Sequence, residues 1–199
     1  MIEKIFFENV SLSFNSHEIF TNLTLELTAE KIIGITGKNG TGKSTFLKLA
    51  GKIIKPDSGE VKFSSDLKVA AVTPEMKVYE NLTAIENLKF FAKLREKNLT
   101  IENIFELGQR VGLDFEKFGN VQVQTFSTGM KQRLKFAILL SVDADIWLLD
   151  EPTSNLDDDG RKIFYAEIEN GCLAKKIILL ATNDDSDIKI CDDIIPLSK

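Results

Sequence analysis

Little in this chain points to cross-links, export or a bilayer. Cysteine occurs twice, as Cys172 and Cys191, outside any C-x-x-C spacing. That argues against a disulfide framework and for a reducing compartment. The opening stretch is interrupted by Glu3 and Glu8, so it lacks the continuous apolar segment of a secretory signal, and export is not expected. No apolar run approaches the about 20 residues that cross a bilayer. The best of them, such as residues 177–181, are one strand long. Any membrane role is therefore expected to come through a partner. An excess of positive charge is also missing, since 25 Lys and Arg stand against 30 Asp and Glu for a net −5. This balance predicts no nucleic-acid partner, although phosphate chemistry needs only a local basic patch. Low-complexity tracts and internal repeats are absent too, and with 43% hydrophobic and 28% charged residues disorder is not expected.

What remains in 199 residues is one sizeable core, or a core plus a small lobe. Residues 2–10, 23–27 and 31–36 alternate or cluster apolar side chains and read as strands, the last ending in a glycine-rich turn. A helix is predicted from Lys43 to about Gly51. Short strands return between Pro56 and Thr73, with Pro56-Asp57-Ser58-Gly59 as a turn and 69–72 as a buried strand. From about Asn81 to Leu140 the period turns helical, with Leu82, Ile85, Leu88 and Phe91 on one face. Strands at 146–149, 176–181 and 194–197 and a helix around 160–169 follow. Strand–helix–strand order implies parallel pairing. The expected fold class is α/β: a parallel-sheet core, an antiparallel β subdomain near the N-terminus, and an inserted helical subdomain. In approximate bounds the core is residues 1–75 and 141–199 and the helical subdomain is 76–140, all within one domain.

Gly37-Lys38-Asn39-Gly40-Thr41-Gly42-Lys43-Ser44-Thr45 fits G-x-x-x-x-G-K-[ST] between a strand and a helix. Glycines let successive backbone N–H groups converge on phosphate oxygens, and the helix adds its positive end. Lys43 is placed to reach the β- and γ-phosphates, and the Ser44 hydroxyl to take one position on Mg²⁺. Ile146-Trp147-Leu148-Leu149-Asp150-Glu151 ends a buried strand in two carboxylates. Asp150 is expected on Mg²⁺, and Glu151 on the attacking water. Alone, such acids read equally as a solvated turn; with the phosphate loop they read as a P-loop NTPase.

Phe126-Ser127-Thr128-Gly129-Met130-Lys131-Gln132-Arg133-Leu134 offers a hydroxyl and free N–H groups at a helix start, a second anion site or simply a capped amphipathic helix. This segment resembles the LSGGQ signature of ABC ATPases, close to its LSxGMKQRL variant, and lies just ahead of the Asp150 strand as in that family. Ser154-Asn155-Leu156-Asp157 resembles the D-loop. The resemblance spans nearly the whole chain and is closest in character to ABC-2-type and haem-exporter-type subunits. It implies a RecA-like P-loop fold, ATP and Mg²⁺ as ligands, and head-to-tail pairing with a second ABC ATPase domain, identical or not. Ser127 and Gly129 would then close on ATP held by the partner's phosphate loop. Phe14 stands where the family carries an aromatic that stacks on adenine, or else is a core phenylalanine.

Two positions depart from the family pattern. Glu75, after Thr73-Pro74, occupies the usual Q-loop glutamine's place; it can coordinate Mg²⁺ but cannot donate a hydrogen bond. Asn183 replaces the switch histidine, and the one histidine, His17, lies far upstream. Asparagine can donate to the γ-phosphate but carries no titrating proton, so hydrolysis slower than in standard members is expected. The segment after Glu75, including Tyr79, resembles the joint that contacts an integral membrane permease, which implies a cytoplasmic subunit peripheral to the membrane. The resemblance thus implies the ATPase subunit of a transporter. A soluble ABC ATPase and a slow-turnover ATP-dependent dimerisation switch are the alternatives.

Overall fold

The computed structural model describes residues 2–14 and 17–198. Strands β1 (Lys4–Phe14) and β2 (His17–Thr28) form an antiparallel ribbon. Along β1 the buried residues run Ile5, Phe7, Val10, Leu12, so the period of two breaks once. The register shifts between Phe7 and Val10, where Asn9 takes φ 50°, and this irregularity keeps both apolar pairs on the core face. Next come β3 (Lys31–Thr36), α1 (Lys43–Ala50) and β4 (Ser58–Phe63). β4 pairs antiparallel with β1, giving a three-stranded sheet in the order β2-β1-β4.

The second sheet begins with β5 (Val69–Val72). A helical stretch follows: α2 (Ala84–Lys93), α3 (Ile101–Val111), α4 (Phe115–Phe118) and α5 (Thr128–Ser141). The chain closes with β6 (Ile146–Asp150), α6 (Asp158–Leu173), β7 (Ile177–Ala181), α7 (Asp185–Ile188) and β8 (Asp193–Pro196). The order β5-β6-β7-β3-β8 is parallel at every pairing. The α/β class, parallel core, N-terminal antiparallel sheet and intervening helices expected from the sequence are all present.

Because β6 and β7 are buried on both faces, their residues are apolar without alternation up to Asp150. The pleat nevertheless sorts them. Ile146, Leu148, Ile177 and Leu179 pack with α1 and the antiparallel sheet, where Phe7 stacks on Phe46 with centroids 5.1 Å apart. Trp147, Leu149, Ile178 and Leu180 pack the opposite way, with Leu134, Phe136 and Phe164 of α5 and α6. Two cores thus clamp one sheet, and the C-terminal ends of β3, β5, β6 and β7 open along a single edge, where sheets of this kind bind ligands.

Candidate functional site

Helix starts leave N–H groups unpaired, and this chain caps them with side chains almost throughout. Thr83, Thr100, Asp114, Ser127, Asp157 and Asp184 each accept from the first turn of α2 to α7 respectively. Among the described residues α1 is the exception, for its N-cap is Gly42 with no side-chain bond. A helix start left open in this way favours an oxyanion as acceptor, because its partial positive charge and free N–H groups both suit one.

The loop leading into α1 is shaped for close approach. Gly37 and Gly42 take φ of 146° and 102°, which L side chains rarely adopt. A Cβ at Gly37 would strike the Leu197 carbonyl, and one at Gly42 would meet Ile19 Cγ2 at 2.6 Å. Thr41 folds back to donate its hydroxyl to the Lys38 carbonyl at 2.9 Å. Lys43 is buried at 7% exposure, and its Nζ donates to the Gly37 carbonyl at 2.8 Å. Among the described residues no carboxylate lies within ion-pair reach of it, so the loop encloses a cation without a counter-ion. Asn39, Gly40 and Ser44 are exposed along the rim, with Thr45 half-buried.

Asp150 ends β6 at 8% exposure, and no salt bridge or side-chain hydrogen bond among the described residues occupies its carboxylate. It lines a cavity of about 230 Å³ together with Ser44, Lys48, Thr73 and Glu75. The three side chains expected around Mg²⁺ therefore share one cavity. Glu75 is turned to Lys48, whose Nζ donates to its Oε2 at 2.9 Å. Nearby, Lys135 on α5 donates to the Thr73 carbonyl at 3.0 Å, and burial lowers its pKa from the ordinary lysine value.

Glu151 takes φ 46°, a left-handed conformation that a non-glycine residue adopts at a cost and that recurs at functional sites. Its N–H donates to the Ala181 carbonyl at 2.8 Å, which keeps the ends of β6 and β7 together. With Thr182, Asn183, Arg161 and Asp187 it lines a second cavity, of about 250 Å³. Asn183 is exposed, and its Nδ2 donates to Asn39 Oδ1 in the phosphate loop at 2.8 Å. Arg161 holds Asp184 at 2.6 Å, and that bond first, then the Ser186 N–H, keeps the Asp184 carboxyl below its usual range.

Ser127 and Gly129 lie apart from both cavities. Ser127 Oγ accepts from Met130 N–H at 3.2 Å, capping α5 as a structural serine does, while Gly129 sits against the Asn155 carbonyl. Gln132 donates to the Pro152 carbonyl at 2.6 Å, tying α5 to the segment after Glu151. A wide cleft of about 540 Å³ runs between Thr128, Lys131, Ser154 and Asn155 on one side and Pro74, residues 76–78 and Glu80 on the other. Phe14 is 50% exposed, which removes the core alternative for its ring and leaves a free aromatic at the end of β1. No group of three or more His, Cys, Asp or Glu side chains gathers for a metal among the described residues. No helix there is long and apolar enough to cross a membrane.

The chain matches the family model described as ABC transporter over residues 20–154. It is 30% identical to a probable ABC transporter ATP-binding/permease protein of Haemophilus influenzae, covering 98% of this chain and 38% of that protein. With the ABC transporter ATP-binding protein YdbJ of Bacillus subtilis it shares 31% identity over 96% of this chain and 65% of the other. For the lantibiotic transport ATP-binding protein SrtF of Streptococcus pyogenes the figures are 30%, 94% and 83%. The chain thus spans well under half of the first relative and about two thirds of the second. Among solved structures, the dimeric bacterial ABC transporter cassette MJ0796 superposes with a TM-score of 0.86 at 24% identity, covering 97% of this chain and 94% of that one. A post-hydrolysis state of the same cassette, bound to ADP and Pi, gives the same score and identity.

Proposed function

We propose a function from one premise: this chain belongs to the ABC transporter family. It is an ATP-binding, ATP-hydrolysing subunit that powers a membrane transporter through ATP-driven, head-to-tail pairing of two such domains. The observation that carries the reading is the uncapped start of α1 above the buried Lys43, which has no carboxylate partner among the described residues. ATP phosphates would supply both the missing cap and the missing counter-ion, with the backbone from Gly37 to Thr45 as cradle. The exposed ring of Phe14 is free to stack on the base.

The donor set around the first cavity fits Mg²⁺. Ser44 offers a hydroxyl and Asp150 and Glu75 carboxylates, all hard oxygens, and so few protein ligands suit a cation that keeps water and takes substrate phosphates. When bound, the ion would neutralise phosphate charge. Glu151 then accepts a proton from the attacking water as its oxygen bonds to the γ-phosphorus and the bond to the bridging oxygen breaks, leaving ADP and phosphate. Asn183 donates to the γ-phosphate once released from Asn39. Ser127 and Gly129, remote from their own chain's cavities, face the nucleotide of the second domain.

Coupling to a separate permease, at the cytoplasmic face, runs through the helical region, residues 76–140. Tyr79 is half exposed and its ring lies 4.8 Å from that of Phe90, itself partly exposed. Ile85 and Leu88 are buried in the same region's core.

Glu151→Gln tests the reading. Turnover is expected to fall about 10² to 10⁴-fold, with ATP still bound and the chain doubled in mass on a sizing column. Wild-type turnover no greater than the variant's would sink hydrolysis, and a monomer in ATP would sink the composite site. One observation favours a second reading, a slow-turnover dimerisation switch: the side chain of Asn183 is already committed to Asn39. Steady-state phosphate release with the membrane partner present separates the two.

A further inference from the structure

Beneath the second cavity lies a carboxylate that the reaction does not touch. Asp187, in the short helix α7, is 1% exposed. Thr153 Oγ1 donates to its Oδ1 at 2.8 Å, Tyr165 Oη to the same oxygen at 2.7 Å, and Thr182 Oγ1 to Oδ2 at 2.8 Å. The donors come from three places: the segment after β6, helix α6, and the end of β7. Both threonines are buried, at 2% and 1% exposure. Thr182 Oγ1 also accepts the Asp184 N–H at 3.0 Å.

These positions matter for what they flank. Thr153 lies two residues after Glu151, and Thr182 immediately precedes Asn183. Each oxygen of Asp187 holds one of these two segments, and no cation competes for it within ion-pair distance among the described residues. We propose that Asp187 is a positioning residue for ATP hydrolysis: by accepting from Thr153 and Thr182 together, it fixes the segment that carries Glu151 against the segment that carries Asn183. The inference rests on the hydrolytic function proposed above. Asparagine at this position would keep one acceptor and turn an amide donor toward the other hydroxyl. If that donor faces Thr182, the threonine oxygen meets two donors while its own proton loses its acceptor. Misplacement of the order of 1 Å at a reacting group costs up to about a hundredfold in rate.

The test compares Asp187→Asn with Tyr165→Phe, which removes the α6 donor and keeps both threonine bonds. For Asp187→Asn, kcat is expected to fall about 10 to 100-fold, with nucleotide affinity within about twofold. Tyr165→Phe should lower the melting temperature yet leave kcat within about twofold. Hydrogen–deuterium exchange on Asp187→Asn should quicken in residues 151–156 and 182–185 together and stay unchanged in 37–45. Unchanged kcat, kcat that follows melting temperature across both variants, or loosening of only one segment would overturn the proposal. A wild-type chain without turnover would defeat the function above and this catalytic role with it, whereas the exchange measurement, which needs no hydrolysis, decides separately whether Asp187 joins the two segments. If Asp187→Asn does not fold, Thr153→Val with Thr182→Val removes the same two bonds and is read against the same outcomes.

Discussion

Helices α1 and α5 each open on a glycine-containing stretch, and they treat their first turns in opposite ways. At α1 the turn is left bare, with Gly42 at its head and a lysine enclosed beside it. At α5 the turn is closed by the chain's own Ser127, which accepts from Met130. The contrast teaches that similar composition serves different ends. The first helix start has no side-chain cap of its own. The second is complete as a fold, and what it offers outside is a hydroxyl proton and the open backbone at Gly129.

The largest break in that comparison should come from Lys43→Ala. Nucleotide affinity is expected to drop about a hundredfold, as loss of a charge-assisted contact in a buried site implies, and calorimetric titration with ATP would measure it. The fold should survive, since among the described residues Lys43 bonds only to the Gly37 carbonyl. Ser127→Ala should do the reverse. Loss of an N-cap costs about 1 kcal/mol, or about 2–4 °C in melting temperature for a domain of this size, while ATP affinity of the single chain stays within about twofold. A large affinity loss in Ser127→Ala would show that the two starts are not independent.

The smallest effect sharpens the comparison with a third start. Helix α7 is capped by a carboxylate, Asp184, which accepts from Ser186 at 2.8 Å and pairs with Arg161. Arg161 foremost depresses the folded pKa of Asp184 below its ordinary 3.8. A depressed acid stabilises the folded state above the unfolded value, so this contribution is intact above about pH 3.8 and is lost as pH falls through the lower, folded value. Asp184→Asn should flatten that limb of a denaturation-versus-pH curve. The change should stay under about 2 °C, because both partners are partly exposed and the pair is screened by solvent. The serine cap of α5 has no such limb.

How much of this was legible in the sequence depends on whether a residue's role is local. The phosphate loop and the Asp150 strand were, because their spacing and flanking apolar runs fix them without reference to distant parts. The antiparallel strands were read short, at 2–10 and 23–27, because their outer ends are half exposed and the irregularities after Phe7 disrupt the alternation. The free ring of Phe14 needed the structure, since a phenylalanine looks the same buried or bare. Asn183 was found by its place after Thr182, yet its bond to Asn39 joins residues far apart in sequence. In the run Asn183-Asp184-Asp185-Ser186-Asp187, nothing local says that the last member is buried under three hydroxyls.

The pleat of β6 gives the molecule two listening posts one residue apart. Trp147, the chain's one tryptophan, faces Phe136 on α5, with ring centroids 6.2 Å apart, whereas Leu148 faces the cavity of Ser44 and Asp150. Intrinsic fluorescence is therefore wired to the helical side of the sheet, and a reporter introduced at position 148 would be wired to the nucleotide side. Recorded together after rapid mixing with ATP, the two signals would time the passage of an event through the thickness of a single strand.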